Sequence, residues 1–153
     1  MPPRKPTNDE HCPVARSVDL IGDRWSLLIV RNAFDGMSRF GDFQRSLGVA
    51  RNILSDRLRK LVEAGILELQ GASDGTAYQE YVLTAKGESL FPIVVALRQW
   101  GEQHLFARGE RHSLLIDKHT GKPVPLMAPA GHDGTVLTAA DTEVQKVKQS
   151  AAV

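Results

Sequence analysis

One cysteine in 153 residues excludes a disulfide within the chain and fits a reducing cytoplasm. No apolar run approaches the roughly 18 residues a membrane span needs, and the proline-rich, charged start MPPRKPTNDE has no signal-peptide core. A net charge of +1 is far from the basic excess that would by itself announce a nucleic-acid partner, so any such argument must rest on local geometry. There is no nucleophile elbow, phosphate loop or paired-carboxylate site, which excludes the common enzyme signatures. His104, His112, His119 and His132, with Asp117 and Asp133, lack the paired spacing of a metal site and read as loop residues, so no metal or cofactor is expected. What remains is ordinary for a soluble protein: 42% apolar and 24% charged residues, with length for one domain and an extension.

The informative stretch is SRFGDFQRSLGVARNILSDRLRKLVEAGILEL, residues 38–69. Ser38 can cap a short helix whose Phe40, Phe43 and Leu47 fall on one stripe, and Gly48 ends it. After the turn of Gly48, Val49 and Ala50, a second helix over 51–64 puts Leu54, Leu58, Leu61 and Val62 on one face, with Gly65 at its C′ position. Two short helices about a glycine-containing turn read as helix-turn-helix. At about 100° per residue the leucine stripe leaves Asn52, Asp56, Arg59 and Lys60 pointing outward, Ser55 at the edge and Arg51 in the first turn. These are groups that touch DNA, since Arg forks onto guanine, Asn pairs with adenine, and a helix N-terminus attracts phosphate. Six basic residues against three acidic ones over 38–63 give a local bias of +3. Asp56 works against a pure phosphate grip unless it pairs with Arg59 or Lys60 or accepts from a cytosine amine.

Residues 66–69 form a short apolar run, 72–76 hold an Asp-Gly turn, and 78–83 return as a second strand. Helix-turn-helix followed by a hairpin is a winged helix. The wing carries no Arg or Lys over 71–79, so the helix should contribute more than the wing; Tyr78 and Gln79 can still bond a phosphate.

Over roughly 12–106 the chain resembles the HxlR-type bacterial winged helix-turn-helix transcriptional regulators, through CPV, GDRWSLLIVRNAFDG, RFGDFQRSLG, ARNILSDRLRKLVEAGILE, QEYVLT and LTAKGESLFPIVVALRQWG. The resemblance implies homodimeric DNA binding and gene regulation, usually repression, sometimes relieved by oxidants or electrophiles. It names no target gene, and it stops near residue 106.

Residues 1–10 read as a flexible tail whose Arg4-Lys5 pair can brush a phosphate. Pro13 suits the first position of a helix over 13–21, which makes Cys12 its N-cap. A thiol at the positive helix end, beside His11 and one turn from Arg16, has its thiolate favoured, the setting of a redox-sensing cysteine; the alternative is an inert cap. Similar sequences in the family carry a sensing cysteine before such a proline. With no second cysteine, sensing would need a bond from Cys12 to its counterpart across a dimer, a mixed disulfide with a small thiol, or an adduct.

Asp23 caps a core helix over 24–34, ended by Gly36, with Trp25, Leu28, Ile29 and Ala33 inward and Arg31 and Asn32 on the solvated side. Thr84 caps a helix running to His104 that Pro92 should kink or split near Glu88 or Ser89. Its broad apolar face, Leu90, Ile93, Val94, Leu97 and Trp100, has more surface than its own domain can cover. Pairing with the N-terminal helix of a second copy is the expected use, and packing within the chain the alternative. Space between the Trp25 and Trp100 helices is a candidate effector pocket, without chemistry to identify a small-molecule occupant.

Residues 107–153 read as a β-rich appendage: a strand at 114–116, a turn at 117–121, a return at 124–127, a loop at 129–134, a further strand at 136–137 and a fraying end. The expected fold is therefore mainly α with small β: a winged helix-turn-helix domain, 11–106, plus that extension. The expected function is a cytoplasmic homodimer that reads an inverted-repeat operator through Asn52, Ser55, Asp56 and Arg59 and is positioned on the backbone by Ser38, Arg39, Arg51 and Lys60. A winged-helix protein-interaction module is the alternative, and an enzyme built on Cys12 lacks a placed His and acid pair.

Overall fold

The computed structural model describes residues 9–72 and 74–148, so the Arg4-Lys5 pair and residues 149–153 of the expected fraying end lie outside the described residues. Among the described residues, six α-helices and one hairpin follow in order: α1 Pro13–Ile21, α2 Arg24–Phe34, α3 Phe40–Leu47, α4 Arg51–Glu63, β1 Leu67–Gly71, β2 Gln79–Leu83, α5 Ala85–Glu88 and α6 Phe91–His104. The chain divides into two compact units, Met1–Val94 and Val95–Val153, so the division falls inside α6, earlier than the change in composition at 106.

In the first unit α1, α2 and α5 are started by side-chain caps. Cys12 Sγ accepts the Ala15 amide at 3.4 Å, Asp23 accepts from Trp25 and Ser26, and Thr84 Oγ1 accepts from Gly87. The core joins Ile29 and Val30 of α2, Phe43 of α3, Val49 of the turn, Leu54, Leu58 and Leu61 of α4, and Ile66 and Leu67 leading into the hairpin. β1 and β2 pair antiparallel, Leu67 opposite Leu83 and Gly71 opposite Gln79, and Tyr81 and Leu83 pack on the core from the hairpin's inner face. Gly87 is a close-approach glycine: a Cβ there would sit 2.2 Å from the Ile66 carbonyl oxygen.

Two local expectations are corrected. Ser38 does not cap α3, because its carbonyl accepts the Tyr81 amide at 2.7 Å and the chain turns helical only after Arg39, the N-cap. Asn32 is not solvated: it is buried, donating from Nδ2 to Ser46 Oγ at 3.1 Å while its Oδ1 accepts from Arg31. A polar residue can occupy the inner side of α2 because those partners satisfy its amide. The split expected near Glu88 or Ser89 is present: α5 stops at Glu88 and Pro92 falls in the first turn of α6, where a missing amide costs nothing.

In the second unit the expected strands reduce, among the described residues, to two isolated bridges, Ile116 with Pro123 and Ala130 with Val136, and a 3₁₀ turn at Ala139–Asp141. The turn at 117–121 is where expected, closed by Gly121 on Asp117 and flanked by Val124 on Leu115. Apolar pairs this short, with Leu114, Leu126 and Val136 exposed, have no sheet to extend them. The segment is held instead by α6: buried Gln99 donates to the Pro125 carbonyl at 2.9 Å and accepts the Met127 amide at 2.8 Å, and Arg98 donates to Ser113.

Candidate nucleic-acid interface

Gly48 adopts the left-handed conformation, φ 60°, that lets α3 end and α4 begin within three residues. Ala50 is the N-cap of α4 and has no side-chain oxygen, so the amides of the first turn of α4 have no side-chain acceptor. Together with the helix dipole they present positive potential at an exposed end, a place for a phosphate.

Burying Leu54, Leu58 and Leu61 turns Asn52, Ser55, Arg59 and Lys60 outward, all exposed, as the helical period requires. Arg51 is exposed and lies over the Phe40 ring at 5.0 Å, which pins its stem against α3. Asp56 is half-buried and takes three cations: Arg59 at 2.7 Å on Oδ1, and Arg57 at 2.7 Å and Lys60 at 3.2 Å on Oδ2. Arg59 is gripped a second time by Glu63 at 3.0 Å. Burial pushes the Asp56 carboxyl up, but the hydrogen bonds from Lys60 and Arg59 and the nearby charges outweigh it and hold it below the usual carboxylate range. Both its oxygens are thus engaged by cations of the same helix.

Arg57, which the sequence reading counted only as a charge, ties α4 to α2. Its Nε donates to Asp23 Oδ2 at 3.0 Å, the same carboxylate that caps α2. Asp23 feels burial first, which raises its pKa, but the Ser26 and Trp25 hydrogen bonds and Arg57 bring it to a net lowered value. No local periodicity reveals a partner this distant in sequence.

The wing has a cation after all, supplied from outside it. Arg39 reaches from the start of α3 to Asp74 at 2.5 Å and to Glu80 at 3.9 Å, and its guanidinium lies 5.0 Å from the Tyr78 ring. Asp74 is held down to about 2, first by the Thr76 side chain and amide and then by Arg39. Tyr78 and Gln79 are exposed on the same hairpin. Ser38 is half-buried with its carbonyl committed to β2. The residues expected to face DNA thus fall in two places: the outer face of α4, and the tip end of the hairpin with the Arg39 that reaches it.

Cys12 stands apart from them, half-buried and free at the start of α1. The groups beside it in sequence are drawn elsewhere: Arg16 Nε donates to the Glu10 carbonyl at 2.6 Å and His11 is 3.7 Å from the Glu10 carboxylate. Among the described residues no group of His, Cys, Asp and Glu is placed to hold a metal, and no helix is long and apolar enough to cross a membrane.

Comparison with known proteins agrees with this geometry. The crystal structure of PA1607, a candidate transcription factor, superposes with a TM-score of 0.85 at 52% identity, covering 90% of this chain and 96% of that one. The redox regulator HypR in its reduced form superposes with a TM-score of 0.56 at 32% identity, over 61% of this chain and 94% of its own. The uncharacterised HTH-type transcriptional regulator Rv3095 of Mycobacterium tuberculosis is 41% identical over 127 residues, 82% of this chain and 80% of that protein. The HxlR-like helix-turn-helix family profile matches residues 20–108, and the chain belongs to that family of HTH-type transcriptional regulators.

Proposed function

We propose that the chain is a homodimeric, sequence-specific repressor that inserts α4 into successive major grooves of an inverted-repeat operator. The observation that carries this reading is the open outer face of α4, with exposed Asn52, Ser55 and Arg59 beside an N-terminus free of side-chain caps. Asn52, Ser55 and Arg59 read base edges, with Asp56 presenting Arg59; Arg39, Arg51, Lys60, Tyr78 and Gln79 set the register on the backbone, with Ser38 bracing the middle of β2 through Tyr81. Exposed apolar side chains on α1, Val14, Val18 and Leu20, and on α6, Ile93, Leu97 and Trp100, support pairing of two copies through these helices. Repression is the mode that the family resemblance favours.

A salt titration tests the reading against a protein-interaction role for the same helix. DNA binding through several phosphates weakens steeply, with a logarithmic slope of about 0.9 per phosphate neutralised; binding indifferent to salt contradicts it. Cys12 supplies the response to oxidants in this reading, supported by its free thiol at a helix start and by the likeness to redox regulators. Diamide, reduced as two Cys12 thiols join or as Cys12 joins a small thiol, should release DNA from the wild type and not from Cys12→Ser. Equal release from both removes Cys12 from the mechanism.

A further inference from the structure

We infer that Asp56, with Glu63, is a specificity filter of the DNA-facing helix: it neutralises Arg59 and Lys60 away from the operator, so that they leave their carboxylates only where base contacts compensate. The inference rests on the DNA-binding reading above and adds to it the residue that sets the ratio of specific to non-specific binding.

The geometry is unusual for a surface meant to meet a polyanion. One carboxylate carries Arg57, Arg59 and Lys60, and Glu63 takes the remaining face of the Arg59 guanidinium. Arg57 has a second acidic partner in Asp23 and is only 22% exposed, so its part is structural. Arg59 and Lys60 are 58% and 50% exposed and are the cations a phosphate would reach. On non-specific duplex, where affinity comes almost entirely from phosphate contacts, each must give up or share a carboxylate to engage, which lowers the return on each contact. On an operator the same exchange is offset by bidentate base contacts that a wrong sequence lacks. Carboxylates within the footprint therefore penalise the wrong sequences more than the right one, the repulsive element that selectivity requires. The net charge of +1 fits a molecule that does not rely on a general attraction to DNA.

The test compares wild type, Asp56→Asn and Glu63→Gln at several salt concentrations. Two probes are used: a mixed-sequence duplex and the duplex that wild type enriches from a random pool. Asp56→Asn keeps the side chain's size and some hydrogen bonding while removing the charge. It should raise affinity for mixed-sequence duplex by about tenfold and steepen its salt slope by about 2, one phosphate each for Arg59 and Lys60. Affinity for the enriched duplex should rise by less, about threefold or under, so the specificity ratio falls. Glu63→Gln leaves Arg59 with Asp56 as its one carboxylate partner of the two, does not touch Lys60, and should steepen the slope by up to about 1. It keeps the test decisive if Asp56→Asn fails to fold, which circular dichroism shows. Unchanged mixed-sequence binding in the folded variants, or a loss confined to the enriched duplex, overturns the filter and leaves Asp56 as a base reader or a helix brace. Absence of salt-dependent binding by the wild type instead overturns the DNA-binding reading itself.

Discussion

Asp23 holds two helices with one carboxylate, capping α2 through the Trp25 and Ser26 amides and receiving Arg57 from α4. Asp23→Ala removes both, and its expected cost is about 1–2 kcal/mol in urea unfolding, the usual loss for an N-cap. The folded pKa of Asp23 lies below the unfolded value of 3.8, so its contribution is present above that value and is lost as pH falls through the folded one. An acid titration of stability should accordingly be shallower for Asp23→Asn than for wild type; parallel curves would contradict the assignment. Asp74 follows the same sign, with its carboxyl at about 2. Arg39→Ala should move it back toward 3.8 in an NMR titration, and an unmoved resonance would show that Arg39 does not tether the wing. The cap at Asp23 was legible in sequence because it sits directly before a periodic apolar run. The Arg57 and Arg39 pairings, the burial of Asn32 and the role of Gln99 were not, because each is fixed by a partner that only tertiary packing delivers.

Helices were legible where an apolar period and a terminator agreed. Leu54, Leu58 and Leu61 set the inner face of α4, and Gly65, φ 76°, ends it as a left-handed residue should. Pro92 marked the break between α5 and α6 for the same reason, that a proline is accepted only in a first turn. The junction beneath α4 depends on α5: Thr84 Oγ1 donates to the Gly65 carbonyl at 2.5 Å, Lys86 Nζ donates to the Ala64 carbonyl at 2.7 Å, and Gly87 lies against Ile66. Gly87→Ala sets a methyl against backbone that cannot yield, and should cost about 1–3 kcal/mol in thermal unfolding, as overpacking does. A neutral Gly87→Ala would show that α5 is loosely held. Strands in the second unit were over-read because three apolar residues in a row satisfy a strand pattern without supplying a neighbour to pair with. The physical anchor there is a buried glutamine on α6, invisible to any count of apolar residues.

For the whole molecule, membership of the HxlR-like family and the winged helix-turn-helix place this chain among DNA-binding transcriptional regulators. The proposed dimer predicts a two-chain mass in sedimentation equilibrium for wild type, and dissociation when a charge enters the exposed apolar faces, as in Val18→Asp on α1 or Leu97→Asp on α6. A monomeric wild type would remove the inverted repeat with it, since two half-sites one helical turn apart, about 34 Å, need two reading helices. Residues 38–69, part of the stretch that made the family legible, hold most of the exposed side chains on which the proposed function depends. The pairing of Asp56 with Arg59 and Lys60 followed from helical spacing, whereas the grip of Arg39 on Asp74 became readable only once the wing was folded against α3. The most direct measurement is the sequence profile of duplexes bound from a random pool by wild type and by Arg59→Ala. The account predicts an inverted repeat for wild type, and for Arg59→Ala a loss of preference confined to one symmetric pair of positions, with affinity for the wild-type consensus down about tenfold or more. An unchanged profile, or uniform weakening on every sequence, would contradict the claim that this face of α4 reads bases.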